Sequence, residues 1–502
     1  VAVERAPAGH LGVQRADAHG HVQREFVGGR EQRPRLRAVE FVVRDEVVDR
    51  VADARFLGGR EQFPRVVVIG VDAGLQEHVA DLPLYGRPVD VQPDERAVQV
   101  VHDGVVVLGH ATTFDATRVS DFGENAYVAV GGPSGMTGSL SVAALGYGFI
   151  GEAHANALGR LPQFFPDAPD VSRDVLVGRD ETAAREAADR FGFDRVETDW
   201  RDALDDVDVF LNLGPNHVHV EPTAAALDAD VHVLCEKPLA PTVEGAERVV
   251  EAAEASDATA GVVFNYRFLP AVQTAKDLLD SGDFGPVRHV RFQYLQDLLV
   301  DDDAPWTWRH DAERAGAGAL GDLGAHSVDL ARFLVGDLAR VSGHLATFTE
   351  ERVPADGGDP RPVTVDDAFT AQAEFASGAL GTFEASRCAP GRKNGHTFQV
   401  DAADGALAFD LQRPNELEVK WPDSRGFETV LVTEESDPYG EHWWPPGHVL
   451  GWEHSVVHQD YEFLSTVADG GEAAPSVQDG LAVQRVLAAI AESDECGEWV
   501  SL

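Results

Sequence analysis

Cysteine, methionine and lysine are scarce in this chain: three, one and four among 502 residues. Cys235, Cys388 and Cys496 are too few for a disulfide framework, and no two stand at metal-ligand spacing. A reducing cytoplasm and the absence of a metal centre are therefore expected. Scattered histidines such as His442, His448, His454 and His458 form no ligand group with Cys or carboxylates. No run of about 18 apolar residues occurs, so no membrane-spanning helix is expected. The first twenty residues lack the apolar centre of a signal peptide. Only Lys237, Lys276, Lys393 and Lys420 are lysines, so 37 of the 41 basic residues are arginine. The formal net charge is −44. Such a field repels nucleic acid and anionic lipid, leaving small molecules and other protein chains as partners. Acid excess with few lysines fits a protein adapted to molar salt, where screening shortens to about 3 Å; an ordinary acidic enzyme is the alternative.

The length suggests two to three domains. Residues 1–135 contain no Lys, Cys, Trp or Met. They hold 15 Arg against 20 Asp and Glu, a net −5, which leaves −39 of the total −44 on residues 136–502. Short apolar runs stand at 66–70 and 105–109, and Gly28-Gly29-Arg30-Glu31-Gln32 is repeated at 58–62, two copies being too few for a solenoid. Two readings are open: an extra β-rich domain or arm, or a natural start at Met136, where the composition breaks. The second is favoured, and 1–135 is expected to lack a stable core of its own. Beyond Met136, strands at 142–145, 175–177, 207–212, 231–235 and 261–265 alternate with helices at 152–161, 181–191, 222–229 and 243–255. This reads as a parallel, doubly wound sheet over 136–263. The pattern then changes. Strands are expected at 287–295, 339–349, 368–375, 380–386, 397–402, 406–411, 416–421 and 429–433, with helices at 326–334, 454–469 and 477–491. That describes an α+β domain over 264–502 with a large, mostly antiparallel open sheet.

Gly146-Tyr147-Gly148-Phe149-Ile150-Gly151 closes the first of these strands and opens a helix. Each glycine has a distinct use: a tight turn, close approach to a pyrophosphate, and close packing of helix on strand. The free N–H groups of the helix start favour phosphate, so a dinucleotide site is expected on a Rossmann-type domain. The second strand ends Val177-Gly178-Arg179-Asp180, with glycine where a ribose-binding acid commonly stands. Arg179 would meet the 2′-phosphate of NADP, or would stack on adenine beside NAD; both remain open.

Two more segments carry reactive groups. Glu236-Lys237-Pro238 follows a strand of the nucleotide domain, on the binding edge of such a sheet. Lys237 suits the orientation and activation of a hydroxyl, although a surface ion pair is the plainer reading. In Gly321-Asp322-Leu323-Gly324-Ala325-His326, Asp322 and His326 are spaced i, i+4 and share one helix face. A carboxylate there can orient an imidazole that takes a proton, while a helix cap above a structural histidine is the alternative.

From Ser139 to Leu502 the chain resembles the glucose–fructose oxidoreductase, inositol dehydrogenase and MocA-like (Gfo/Idh/MocA) family. The resemblance rests on the glycine turn, on Pro215-Asn216-His217-Val218-His219, on Glu236-Lys237-Pro238 and on the Asp322–His326 motif, in that order. It implies hydride transfer between a sugar or cyclitol CH–OH and NAD or NADP. It also implies catalytic roles for Lys237, Asp322 and His326, with Pro215, Asn216, His219 and Glu236 on the nicotinamide side. Leu161-Pro162-Gln163-Phe164-Phe165, Phe264-Asn265-Tyr266-Arg267, Tyr294-Leu295-Gln296-Asp297 and residues 389–394 are similar to the levoglucosan dehydrogenase branch. Tyr266, Arg267, Gln296, Trp308, Arg309 and Arg392 are candidates for a sugar pocket, because planar aromatics and polar forks suit a ring with apolar faces and many hydroxyls. Cys235 reads as a core thiol beside the site. An exposed sheet face implies homo-oligomers paired through the second domain. A glycoside-modifying enzyme with retained nucleotide, and a non-catalytic sugar sensor, are the rival functions.

Overall fold

The computed structural model describes residues 139–502 and three short strands before them, β1 (Val68–Gly70), β2 (Val98–Val101) and β3 (Val105–Leu108). β3 is central in their small sheet, parallel to β1 and antiparallel to β2. The start at Met136 and the missing core of 1–135 are expectations that lie outside the described residues.

The nucleotide-type domain runs β4 (Leu140–Leu145), α1 (Phe149–Phe164), β5 (Val171–Val177), α2 (Glu181–Phe191), β6 (Arg195–Glu197), β7 (Val209–Asn212), α3 (Val220–Asp228), β8 (His232–Cys235), α4 (Val243–Ala255) and β9 (Ala260–Val262). Its six strands are all parallel, in the order β6-β5-β4-β7-β8-β9. The order reverses at β4, and a crevice opens there beyond the strand ends. The central strands β4, β7 and β8 read as mostly apolar runs because both faces are covered. Val142 and Ala144 enter one core cluster and Ala143 the other; Leu211 and Phe210 divide the same way, as the period of two requires. Helix starts are set by caps: Asp180 accepts from Ala183 N, and Thr242 from Gly245 N.

A 3₁₀ turn at Asn265–Phe268 and α5 (Pro270–Asp280) lead into the second domain. There follow β10 (Val287–Leu295), the short α6 (Ala312–Ala315), a π-helical turn at Leu320–Gly324 and α7 (Ala325–Val335). Next come β11 (Leu338–Ala346), the two-strand ribbon β12 (Glu351–Arg352) and β13 (Arg361–Pro362), β14 (Ala368–Phe375) and β15 (Leu380–Ser386). β16 (Gly395–Ala402), β17 (Ala406–Asp410), β18 (Glu416–Lys420), β19 (Glu428–Leu431), α8 (His454–Asp469), α9 (Val477–Cys496) and β20 (Val500–Ser501) complete the chain. The nine-stranded sheet has the order β19-β18-β17-β16-β10-β15-β14-β11-β20. All its pairings are antiparallel except β10 with β15. One face, carrying Val290, Phe292, Ala373, Phe383 and Val400, packs on α5, α7 and α9. Alternate residues Arg291, Thr370, Gln372 and Thr382 are exposed on the other.

The last two helices also serve the first domain. Val456, Val457, Phe463 and Leu464 of α8 join the core that holds α1 on the parallel sheet, and Val477 and Leu481 of α9 join the core on its opposite face. Each such side chain contributes about 1.5–3 kcal/mol of burial, so the crevice is braced from both domains.

Candidate active site

The glycine turn divides its three tasks as the sequence suggests. Gly146 has φ +109°, and a Cβ there would lie 2.7 Å from Leu213 O. A Cβ on Gly151 would meet Gly146 O at 2.3 Å. Around Gly148, the cap residue of α1, a Cβ would find nothing within 4 Å. Backbone N–H groups at the start of α1 therefore open on free space, which fits a pyrophosphate. At the end of β5 a Cβ on Gly178 would lie 2.1 Å from Tyr147 Cε1, so the Tyr147 ring fills the place of an acidic side chain. Arg179 beside it is exposed, and Asp180 is engaged as the cap of α2.

Across the crevice, Asn212 Nδ2 donates to Val218 O and His219 O and to Thr223 Oγ1, which shapes the turn after β7. Pro215 opens that turn, and Asn216 Nδ2 donates to Ala315 O at 2.8 Å, tying it to α6 of the second domain. His219 is fully buried with Nδ1 2.8 Å from Pro238 O and Nε2 2.9 Å from Gly214 O. Burial, opposed by the two carbonyls, pushes its pKa down to about 4. A neutral imidazole has one N–H, so His219 donates to one of these two carbonyls, with its ring packed between the loop of Gly214 and that of Lys237 and Pro238.

Glu236 is buried, and its Oε2 accepts the Lys237 N–H at 2.9 Å. Burial raises its carboxyl above the usual range, against the pull of Lys237 and His154. Lys237 Nζ donates to Asp322 O at 2.8 Å and to Asp322 Oδ1 at 3.2 Å. Burial would raise the Asp322 carboxyl, but Lys237, Arg309 and Arg387 together hold it below the ordinary value. Asp322 lies on the π-helical turn, a wider turn that recurs at functional sites. His326 follows on α7, buried, its ring 4.5 Å from that of Tyr266. Burial, the Lys237 charge and His396 hold the imidazole well below 6.5, so it is neutral at pH 7. Its Nδ1 is buried without a hydrogen-bond partner. The sequence expectation that Asp322 orients His326 is replaced by a different pairing, in which Asp322 holds Lys237.

Beyond His326 lies a network of neutral groups. Tyr266 OH and Tyr294 OH are 2.8 Å apart, and Tyr294 OH donates to Asn394 Oδ1 at 2.7 Å. Gln296 Nε2 donates to the same oxygen at 2.8 Å, and Trp452 Nε1 to Tyr266 OH at 3.3 Å. The Trp452 ring also stacks on Phe149 of the glycine turn, 5.2 Å between centroids. Trp308 lies half-buried with the Arg309 guanidinium over its own ring.

Not every sequence candidate is in place for a sugar. Arg267 is a correction: its Nε and Nη2 grip both oxygens of buried Asp329, and its guanidinium covers Phe333, so it braces the 3₁₀ turn on α7. Arg392 is exposed, while its neighbour Lys393 pairs with Asp297 at 2.8 Å. Cys235 is a core thiol, as read, pushed up to about 12 by burial. Tyr294, Asn394 and Trp452 were not named as pocket residues. The first two stood in motifs noted only for resemblance, and Trp452 carries no local signal.

Two family models match the chain: an oxidoreductase family with an NAD-binding Rossmann fold over residues 140–264, and the GFO/IDH/MocA C-terminal domain over 272–408. Levoglucosan dehydrogenase of Pseudarthrobacter phenanthrenivorans is 38% identical over 384 residues, 72% of this chain and 98% of that protein. D-xylose 1-dehydrogenase [NADP(+)] of Haloarcula marismortui is 35% identical over 192 residues, 37% of this chain and 53% of that protein. Among solved structures, a levoglucosan dehydrogenase in complex with NADH and levoglucosan aligns with TM-score 0.70 at 38% identity, over 72% of this chain and 99% of its own. An oxidoreductase domain protein from Kribbella flavida aligns with the same TM-score at 45% identity, again over 72% and 99%. With both family models matched in order and a relative 38% identical over 98% of its length, the chain belongs to the GFO/IDH/MocA family of oxidoreductases.

Proposed function

We propose that this protein oxidises a ring hydroxyl of a neutral pyranose or anhydro-sugar, using NAD or NADP, with Lys237, Asp322 and His326 as the catalytic set. It is a nicotinamide-dependent dehydrogenase acting on the CH–OH of a sugar or cyclitol. The observation that carries the site reading is the contact of Lys237 Nζ with Asp322 O at 2.8 Å beside a neutral His326 whose Nδ1 is unpaired.

The residues divide the work. Tyr266, Tyr294, Gln296 and Asn394 bind sugar hydroxyls, and the Trp452 and Trp308 rings face its apolar surface. Lys237 donates to the reacting oxygen and stabilises its developing negative charge. Asp322 holds Lys237 in place. The neutral His326 imidazole takes the hydroxyl proton on a ring nitrogen. The residues from Gly146 to Gly151, with Pro215 and Asn216, would hold the dinucleotide, whose nicotinamide supplies the hydride acceptor when bound, while buried His219 and Glu236 shape the loops behind them. A neutral substrate is favoured by the 38% identity to a levoglucosan dehydrogenase, and Lys393 and Lys237 beside the pocket are already matched by Asp297 and Asp322.

Three wider readings accompany this one. The dehydrogenase comprises residues 136–502, the share of the chain holding the acid excess and both family matches. The protein works in the cytoplasm, supported by three cysteines too few for a disulfide framework, and at high salt, supported by the net charge of −44 and four lysines. Subunits pair through the open face of the nine-stranded sheet. A screen of NAD and NADP against neutral sugars, sugar phosphates and cyclitols at high salt tests the function. Turnover confined to phosphorylated sugars would contradict the neutral-substrate assignment.

A further inference from the structure

Asp366 has no part in the chemistry above, yet it grips the turn that carries Asp322. It is buried, just ahead of β14. Its Oδ1 accepts the Gly318 N–H at 2.7 Å, and its Oδ2 the Leu320 N–H at 2.8 Å. Its carbonyl oxygen accepts the Ala319 N–H at 3.0 Å and Arg387 Nη2 at 2.8 Å. Three consecutive peptide N–H groups, the kind a helix start leaves without internal partners, are thus bound by a single residue. The hold passes directly to Asp322, whose N–H donates to Gly318 O at 2.9 Å. There is no slack at Gly318: a Cβ there would lie 1.7 Å from Asp366 O.

An ordinary helix cap comes from the residue just before the helix. Here the cap comes from another element, 46 positions on from Leu320. It therefore fixes where the turn stands relative to the sheet as well as how it begins. Lys237 reaches that turn from the other domain and hydrogen-bonds to it at Asp322 O and Asp322 Oδ1. Displacement of residues 318–320 moves both acceptors together.

We propose that Asp366 is a positioning residue for the catalytic lysine: by binding the N–H groups of Gly318, Ala319 and Leu320 it sets the Asp322 carbonyl and carboxylate against Lys237 Nζ. The inference rests on the catalytic assignment of Lys237. A carboxylate suits the task because each of its oxygens takes one N–H; an asparagine keeps only one acceptor.

The test pairs D366A and D366N, assayed with levoglucosan and NAD as probes, with hydrogen exchange of the 318–320 amides and with NADH affinity. In D366A the Gly318 and Leu320 amides, which lose their side-chain acceptors, exchange at least tenfold faster, and kcat falls by about tenfold or more, the scale of a small misplacement of reacting groups. NADH affinity stays within twofold, because the glycine turn is on the other domain. D366N recovers part of both losses. Unchanged amide exchange in D366A overturns the proposal, as does faster exchange with kcat within twofold of the wild type. A parallel loss of kcat and NADH affinity in both variants also overturns it, since Asp366 would then support the whole fold. If the wild type turns over no sugar, the functional reading fails, and amide exchange still decides whether Asp366 holds the turn.

Discussion

Lys237 touches Asp322 through two atoms of different kinds, a backbone carbonyl and a carboxylate. D322N keeps the first, so it should lower turnover less than K237A does. K237A and H326A should each cost about a hundredfold or more in kcat, the range for a positioned acid–base group; steady-state rates of nicotinamide reduction check this, and activity retained in both would remove them from the mechanism. Tyr266 is the hub of the sugar network, with its hydroxyl near Tyr294 OH and Trp452 Nε1. Y266F should raise the sugar KM several-fold, since a lost hydrogen bond is worth about 1 kcal/mol, with kcat changed less; an equal fall in kcat would place Tyr266 in the chemistry. At this scale, compact local motifs were legible as candidates: the structure joins Lys237 to Asp322 and gives the glycine turn its tight geometry. Arg267 was misplaced, because its partner Asp329 stands 62 positions away and nothing near Arg267 announces it. Trp452 was invisible for the same reason: its contacts, to Phe149 and Tyr266, are made only by the folded chain.

Elements were legible where the hydrophobic period was strong. α2, α4, β10, β14, β15 and α8 match their expected bounds residue for residue. α5 was missed although Ala271, Val272, Ala275, Leu278 and Leu279 stand at helical spacing, and β6 is only three residues long. The π-helical turn had no sequence signature, and Asp366, which binds the N–H groups that lead into it, stands 46 positions beyond Leu320. The glycine turn yields a paired prediction. G148A should fold as the wild type does, because a Cβ meets nothing within 4 Å, yet bind NADH at least tenfold more weakly where the phosphate must approach. G151A should lower thermal stability as well, because its Cβ falls 2.3 Å from Gly146 O. Fluorescence titration and thermal melts separate the two; equal NADH affinity in G148A and wild type would move the phosphate site elsewhere.

For the molecule as a whole, charge and buried histidine set the response to solvent. Self-repulsion from a net charge of −44 should weaken as salt screens it, so the melting temperature should rise from low salt into the molar range. A flat or falling curve would contradict salt adaptation. Burial pushes His219 and His310 down to about 4, and His396 and His458 to about 3, from an ordinary 6.5. Below pH 6.5 the unfolded chain takes up protons that these folded sites refuse. The stability they contribute is therefore complete above that pH and lost as pH falls toward 4, by about 1 kcal/mol per histidine at pH 5.5. Melts at constant high salt should show it, and a stability unchanged between pH 7.5 and 5.5 would contradict it. The central claim, a neutral-sugar dehydrogenase worked by Lys237 and His326, is tested most directly by the absorbance of reduced nicotinamide when wild type, K237A and H326A meet levoglucosan and related pyranoses with NAD or NADP at high salt. The account predicts steady reduction by the wild type and at least about a hundredfold less by each variant; no reduction by the wild type with any neutral sugar, or equal rates in all three proteins, would contradict it.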